Sequence, residues 1–150
     1  MRRILPADHV LMGVRGTCCR DLLRVLAGPL VADGVVTKME TFLDDLEQRE
    51  HQITTQIGEG IAFPHARSHV VRRLGLTVGI SEPPGTMFNP ALETPCRLFF
   101  LIAVPSYAPV AHLPLLQKLA NFSREAHRTS RLANCRTPGQ AARLLVSYKG

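Results

Sequence analysis

The chain has 150 residues, of which 45% are hydrophobic and 20% are charged, and its formal net charge at pH 7 is +6. This length fits one domain that can bury a core, and the composition excludes a wholly disordered chain. No stretch approaches the ~20 apolar residues that span a bilayer. The first residues also lack the apolar segment of a signal peptide, so we expect a cytoplasmic protein.

Neither the cysteines nor the basic charge defines a function. No two cysteines have Cys-x-x-Cys spacing, and so few in a chain of this length favour reduced thiols over a disulfide framework. The positive residues are scattered, and the absence of tryptophan leaves few surfaces on which bases could stack. We therefore expect a solvated basic surface and no nucleic acid partner, with nucleic acid binding as an alternative based on charge alone. The cysteines are Cys18, Cys19, Cys96 and Cys135.

Two helices are predicted after an irregular segment, residues 1–16. Thr17 is expected to cap the first helix, and Gly28-Pro29 to fray or kink its end. Thr37 and Glu40 have the spacing of a capping box, which would open a second helix through about Glu50. The apolar positions of the two helices are Leu22, Leu23, Val25, Leu26 and Leu30, then Met39, Phe42, Leu43 and Leu46.

The middle of the chain is predicted to supply strands. Gly58 and Gly60 indicate a turn before a short strand, residues 61–63. Pro64 favours an extended Phe63, so His65 is expected on a loop just past a strand end. The apolar runs 74–81 and 97–104 are predicted strands, the second covered on both faces, with a long loop at 82–95 between them.

The last third is predicted to be helical. A helix over residues 111–126 should begin close to His112, because Pro114 is tolerated only in a first turn. A final helix should run from a Thr137 cap, through Pro138, to about Ser147. Helices interleave with apolar strands, so we expect one α/β domain over residues 1–150, a layered sandwich with a mixed β-sheet flanked by helices on both faces.

A distinctive run of residues lies between Glu50 and Ala66. Six residues follow Glu50, and the run then continues Ile-Gly-Glu-Gly-Ile-Ala-Phe-Pro-His-Ala, with His65 as its histidine. It resembles the active-site signature of the fructose–mannitol type of EIIA domain (EIIA type 2) of the bacterial phosphotransferase system. That signature is an acidic or amide residue, six positions, an aliphatic, a small residue, two positions, then aliphatic-Ala-aliphatic-Pro-His-small. Phe63 is the one departure, since a smaller aliphatic residue is usual there.

Two further residues fit this resemblance, which extends over about residues 5–148. Arg49 lies sixteen residues before His65, where the family has an arginine near the phosphorylation site. His112, in an Ala-His-Leu-x-Leu-Leu run, matches the family's second histidine. The resemblance implies that His65 accepts a phosphoryl group on Nε2, that His112 assists and orients the phosphate, and that Arg49 stabilises transition-state charge. It implies no cofactor and no metal.

Elementary chemistry supports His65 as an acceptor. An imidazole with a pKa near ~6.5 is largely a free base at neutral pH. Phosphoryl transfer is mostly alignment and charge stabilisation, to which a permanently charged arginine contributes. His112 at a helix start would lie beside free backbone N–H groups. A zinc site at His65 and His69 is an alternative, although no third ligand is evident, and His51 and His127 are expected to be ordinary surface or core histidines.

The resemblance implies a phosphocarrier of the phosphoenolpyruvate-dependent sugar phosphotransferase system, with a phosphohistidine intermediate. Its donor would be the histidine phosphocarrier protein HPr or a nitrogen-type homologue. Its acceptor would be a IIB domain in trans, with membrane contact only through a IIC transporter. The alternative is a nitrogen-type regulatory EIIA that binds target proteins according to its phosphorylation state.

The net charge raises a question about the donor. The family's usual donor presents a positive face around its histidine, so a receiver at +6 would meet like charge on docking. We therefore expect either a local acidic cluster or a different donor. The candidate acids are Asp44, Asp45, Glu47, Glu50, Glu59 and Glu82.

Overall fold

A computed structural model describes residues 4–57 and 60–150, which form a β-sheet with helices on both faces. The strands are β1 (Val10–Met12), β2 (Gln56–Ile57), β3 (Ile61–Ala62), β4 (His65–Ser68), β5 (Gly75–Ile80) and β6 (Leu98–Pro105). The helices are α1 (Cys19–Ala32), α2 (Met39–Gln52), α3 (Leu113–Ser123), α4 (Ala126–Ala133) and α5 (Pro138–Val146). Among the helices of this part of the chain, none has the length and apolar composition needed to cross a membrane. Gly58 and Glu59, part of the predicted turn, lie outside the described residues.

The sheet is mixed, with strand order β1-β5-β6-β3-β2 and β4 also paired with β6. β1 is parallel to β5, whereas β5 is antiparallel to β6. β3 and β4 both lie parallel to β6, and β2 closes the sheet antiparallel to β3. The β1 strand falls within the segment predicted to be irregular, because three residues carry little pattern of their own and gain their pairing from β5.

β3 and β4 are two halves of one strand, interrupted at Phe63-Pro64. Ile61 lies opposite Leu98 and His65 opposite Ile102, so the register on β6 is unchanged across the break. Pro64 has no N–H to donate, but its carbonyl accepts a hydrogen bond from the Ile102 N–H at 2.9 Å. The prediction that His65 lies on a loop is therefore wrong, since His65 begins a strand in the sheet.

The core has two parts, one on each face of the sheet. Alternate residues of β6 point to opposite faces, as the two-residue period of a strand requires. Leu98, Phe100, Ile102 and Val104 pack with α3, α4 and α5. Phe99, Leu101 and Ala103 pack with α1 and α2. Both sets are buried, which confirms the predicted sandwich and the predicted strand covered on both faces.

The first two helices begin differently from the prediction. Cys18, not Thr17, caps α1, since its Sγ accepts from the Asp21 N–H at 3.5 Å. The predicted capping box is also wrong. Thr37 Oγ1 donates to the Val70 carbonyl at 3.1 Å, and α2 starts after Lys38 without a side-chain cap. α1 continues through Pro29 to its last residue, Ala32.

The helix predicted over residues 111–126 is two helices. Glu125 is extended (φ −104°, ψ 121°) and separates α3 from α4. The Arg128 guanidinium donates to the Phe122 and Asn121 carbonyls at 3.1 and 3.2 Å, which satisfies the open end of α3. The predicted Thr137 cap is confirmed, because its side chain accepts from the Gln140 N–H at 3.1 Å.

Candidate active site

The backbone of its own strand orients the His65 ring. His65 Nδ1 lies 2.7 Å from the Phe63 carbonyl oxygen. A carbonyl can only accept, so Nδ1 carries the hydrogen and donates, which leaves the lone pair of the neutral ring on Nε2. Nε2 is therefore the nitrogen available to attack an electrophile.

A short series of hydrogen bonds connects α2 to His65. Glu50 Oε2 accepts from Thr54 Oγ1 at 2.6 Å and from the Thr55 N–H at 2.8 Å, and Glu50 Oε1 accepts from Thr55 Oγ1 at 2.7 Å. The Thr55 carbonyl accepts from the Phe63 N–H at 3.2 Å. The Phe63 carbonyl in turn accepts a hydrogen bond from His65 Nδ1. This series gives a structural reason for an acidic or amide residue at the start of the signature.

Phe63, the departure from the signature, is accommodated in the core. Its ring stacks on Phe100 with centroids 5.3 Å apart and planes at 19°. Both residues belong to the core on the α3–α5 face. The larger side chain thus adds packing beneath the site.

His112 faces His65 from the start of α3. Their ring centroids lie 5.4 Å apart. His112 is 5% exposed, and its Nδ1 has no hydrogen-bond partner among the described residues. The expected row of free N–H groups is reduced, because the Leu113 N–H donates to the Val110 carbonyl and Pro114 has none. The His112 ring is therefore the polar side chain at the start of α3 that faces His65.

The environment favours the neutral form of both rings. Burial lowers the pKa of His65 below its usual 6.5, and the charges of Arg49 and Arg67 lower it further, against the opposing effects of the Phe63 carbonyl and Glu50. Burial also lowers the pKa of His112, with smaller contributions from His65 and Arg67. At neutral pH the site therefore contains two neutral imidazoles beside fixed positive charge.

Arg49 lies near the carboxyl end of α2, on a shallow cleft beside β4. Its Nη1 donates to the Ile53 carbonyl at 2.8 Å, which fixes the guanidinium over the chain that leaves the helix. The cleft is lined by Asp45, Gln48, Arg49, Gln52, Ala66 and Arg67. The fold thus brings the three predicted site residues to one region. It also brings Arg67, which sequence reasoning missed because it placed His65 outside the sheet.

Three acidic residues of α2 pair with arginines of α1 and do not line the cleft. Arg20 donates to Glu40, Asp44 and Glu47 at 3.1, 3.0 and 2.5 Å, and Arg24 also pairs with Glu40. The Glu50 carboxylate accepts hydrogen bonds from Thr54 and Thr55. Of the acids proposed for a docking cluster, Asp45 is the one that lines the cleft; Glu82 lines a different one, and Glu59 lies outside the described residues.

His65 and His69 do not belong to a group of three potential metal ligands within residues 4–57 and 60–150. The group found there is Asp8, His9 and Asp33. His9 Nε2 and Asp33 Oδ2 are 2.6 Å apart, a hydrogen-bond distance, and the pair links the N-terminal segment to the end of α1. The zinc alternative therefore finds no third ligand among the described residues.

The residues matched and the fold together define the family. Residues 3–148 match the model of the phosphoenolpyruvate-dependent sugar phosphotransferase system EIIA 2 family, and the chain belongs to it. This confirms the resemblance carried by the residues around His65. Members of this family are components of phosphotransferase systems.

Three known proteins illustrate the likeness. The chain is 26% identical over 134 residues to the 2-O-alpha-mannosyl-D-glycerate-specific EIIABC component of Escherichia coli strain K12, a match that covers 89% of this chain but 20% of that protein. It is 26% identical over 150 residues to the nitrogen regulatory protein of Pseudomonas aeruginosa, covering 99% and 96% of the two chains. Its fold is similar to that in the complex of enzyme IIAMTL and phosphorylated enzyme IIBMTL from Escherichia coli, with a TM-score of 0.78, 23% identity and 95% and 96% coverage.

Proposed function

We propose that this chain is a cytoplasmic phosphocarrier that accepts a phosphoryl group on His65 Nε2 and passes it to a IIB domain. The observation that carries the proposal is the 2.7 Å contact between His65 Nδ1 and the Phe63 carbonyl, which leaves Nε2 as the free nucleophile. The family match and the position of Arg49 beside β4 support it. The relative that forms a complex with a phosphorylated IIB enzyme supports the choice of acceptor.

The transfer step needs no proton. The lone pair on His65 Nε2 attacks the phosphorus of a phosphohistidine on the donor, HPr or a nitrogen-type homologue. A new N–P bond forms as the donor's N–P bond breaks, and the donor nitrogen keeps the electron pair. Arg49 stabilises charge on the equatorial oxygens, and His112 orients the phosphoryl group. Transfer to the IIB domain repeats the same exchange with His65 as the leaving group.

A regulatory role is the second candidate. The match to the nitrogen regulatory protein of Pseudomonas aeruginosa covers nearly the whole of both chains, whereas the sugar-specific relative is matched over a fifth of its length. In this role His65 is still phosphorylated, but the phosphoryl state controls binding to target proteins and no sugar is phosphorylated. The two roles differ in whether a IIB domain discharges the phosphorylated chain.

The test is phosphorylation by a reconstituted donor. The chain is incubated with phosphoenolpyruvate, the general phosphotransferase enzyme and the histidine phosphocarrier protein, and its intact mass is read. Wild type should gain one acid-labile phosphoryl group, and His65→Ala should gain none. His69→Ala is the matched control, since His69 is exposed just beyond the same strand, and it should be labelled like wild type. Labelling of folded His65→Ala, with loss of labelling in His112→Ala, would contradict the assignment.

A further inference from the structure

Arg67 lies on β4, two residues after His65 and outside the signature. Side chains two apart in a strand share a face, so Arg67 projects to the same side of the sheet as His65. Ala66 and Ser68, which alternate with them, are buried, whereas Arg67 is exposed. The strand therefore fixes a second cation beside the histidine that accepts the phosphoryl group.

Arg49 and Arg67 both border the cleft beside β4, and the charge of each acts on the His65 ring. Arg49 comes from α2 and Arg67 from β4, and Asp45 is the carboxylate among the described residues that line it. Within residues 4–57 and 60–150, no hydrogen bond or ion pair involves the Arg67 side chain, whereas Arg20 and Arg24 are each paired with acids. A permanently charged guanidinium that is exposed to solvent and lies near the nucleophile His65 is suited to binding an anion.

The charge of the phosphoryl group favours contact with more than one cation. A phosphoryl group bonded to a side chain carries about −1.5 to −2 at neutral pH. Arg49 supplies a single positive charge, and Asp45 offsets part of it. The charge of Arg67 also acts on both histidine rings, since it lowers the pKa of each. The field that disfavours a protonated ring favours a dianion attached to it.

We propose that Arg67 is a second cationic ligand of the phosphoryl group and holds it together with Arg49. This rests on the proposed function, because it requires His65 to carry the group. The phosphorylated state would then link α2 to β4 through two arginines and one phosphoryl group. Arg67 would contribute before transfer, by attracting the phosphoryl group of the donor, and after transfer, by stabilising that group on His65.

The test compares Arg67→Gln and Arg67→Lys with wild type. Arg72→Gln is the matched control, since Arg72 is also exposed and lies outside the cleft. Each chain is phosphorylated to completion, and the second ionisation of its phosphoryl group is titrated by ³¹P NMR. Loss of a nearby cation should raise that pKa in Arg67→Gln, and leave it near the wild-type value in Arg67→Lys and Arg72→Gln. The initial rate of acceptance should fall about tenfold in Arg67→Gln, which corresponds to about 1.4 kcal/mol.

The outcomes separate the two proposals. Wild type labelled at His65, with Arg67→Gln matching Arg72→Gln in both titration and rate, would overturn the role of Arg67 and leave the phosphocarrier intact. A folded wild type that is not labelled at His65 by an active donor would overturn both. A slower rate in Arg67→Gln with an unchanged phosphoryl titration would also count against a direct contact, because a merely structural effect would not move the titration.

Discussion

Replacing Glu50 with alanine should destabilise the fold and slow phosphoryl transfer together. Glu50 accepts three hydrogen bonds from Thr54 and Thr55, and Thr55 is 8% exposed. The Thr55 carbonyl accepts a hydrogen bond from the Phe63 N–H, and the Phe63 carbonyl accepts one from His65 Nδ1. The substitution therefore removes the anchor of the series of hydrogen bonds that ends on the acceptor histidine.

The magnitude follows from the number and kind of these bonds. A hydrogen bond to a charged group contributes about 1.5–3 kcal/mol, and the loss is larger where a buried donor is left unpaired. Water can reach Thr54, so the three losses do not add in full. We expect a decrease of about 2–4 kcal/mol in the free energy of unfolding, a large part of the ~5–15 kcal/mol typical of a domain.

Two other variants make the measurement specific. Glu50→Gln can still accept from the Thr55 N–H and donate to the Thr55 hydroxyl, so it should lose about 1 kcal/mol and retain most of the transfer rate. Glu47→Ala removes the same charge from the same helix, but its partner Arg20 is at the surface, so its effect should be smaller. Stability is measured by urea unfolding, and transfer by the initial rate of labelling. A Glu50→Ala chain as stable as Glu47→Ala would refute this reasoning.

Further predictions concern pH, packing and capping. Burial lowers the pKa of His65 and His112 below 6.5, so as pH falls below 6.5 the unfolded chain binds protons that the two folded rings do not bind. Stability should therefore fall as pH drops below 6.5, and urea unfolding at two pH values should show a smaller fall in a His65→Gln, His112→Gln double variant. Gly79→Ala would place its Cβ 2.5 Å from Leu26 Cδ2 and should cost about 1–3 kcal/mol, whereas Gly28→Ala, with open space in α1, should stabilise by about 0.5–1 kcal/mol. Equal melting temperatures for these two variants would contradict the packing described. Cys18→Ser should raise the melting temperature, because a hydroxyl caps the Asp21 N–H better than a thiol; an unchanged or lower value would argue against the cap.

The sequence predicts best those elements whose signal is local and strong. Strands β5 and β6 match the predicted runs 74–81 and 97–104 to within about a residue, because a continuous apolar run of that length must be covered on both faces. The Thr137 cap is also local, since the threonine and Pro138 determine it together. The overall α/β sandwich follows from these elements and their order.

The elements that were missed depend on distant contacts. Thr37 has the spacing of a capping box, but its hydroxyl bonds instead to Val70, which is brought close by the fold. The end of α3 depends on the guanidinium of Arg128, which satisfies its last carbonyls. Neither of these hydrogen bonds can be predicted from the local sequence pattern.

The candidate site divides in the same way. His65 was predicted through a signature and Arg49 and His112 through the wider family resemblance, and the fold brings all three to one region. Arg67 and the hydrogen bonds through Thr55 and Phe63 required the register of β4 on β6. With His65 predicted on a loop, the two-residue spacing to Arg67 carried no information about a shared face.

The most direct test of His65 Nε2 as the acceptor is to identify the nitrogen that carries the phosphoryl group. The chain labelled with ¹⁵N in its histidines is phosphorylated, and the phosphorus–nitrogen coupling is read by NMR for each ring. We expect coupling to Nε2 of His65, with Nδ1 still carrying its hydrogen and donating it to the Phe63 carbonyl. Coupling to Nδ1 of His65, or to a nitrogen of His112, would contradict it.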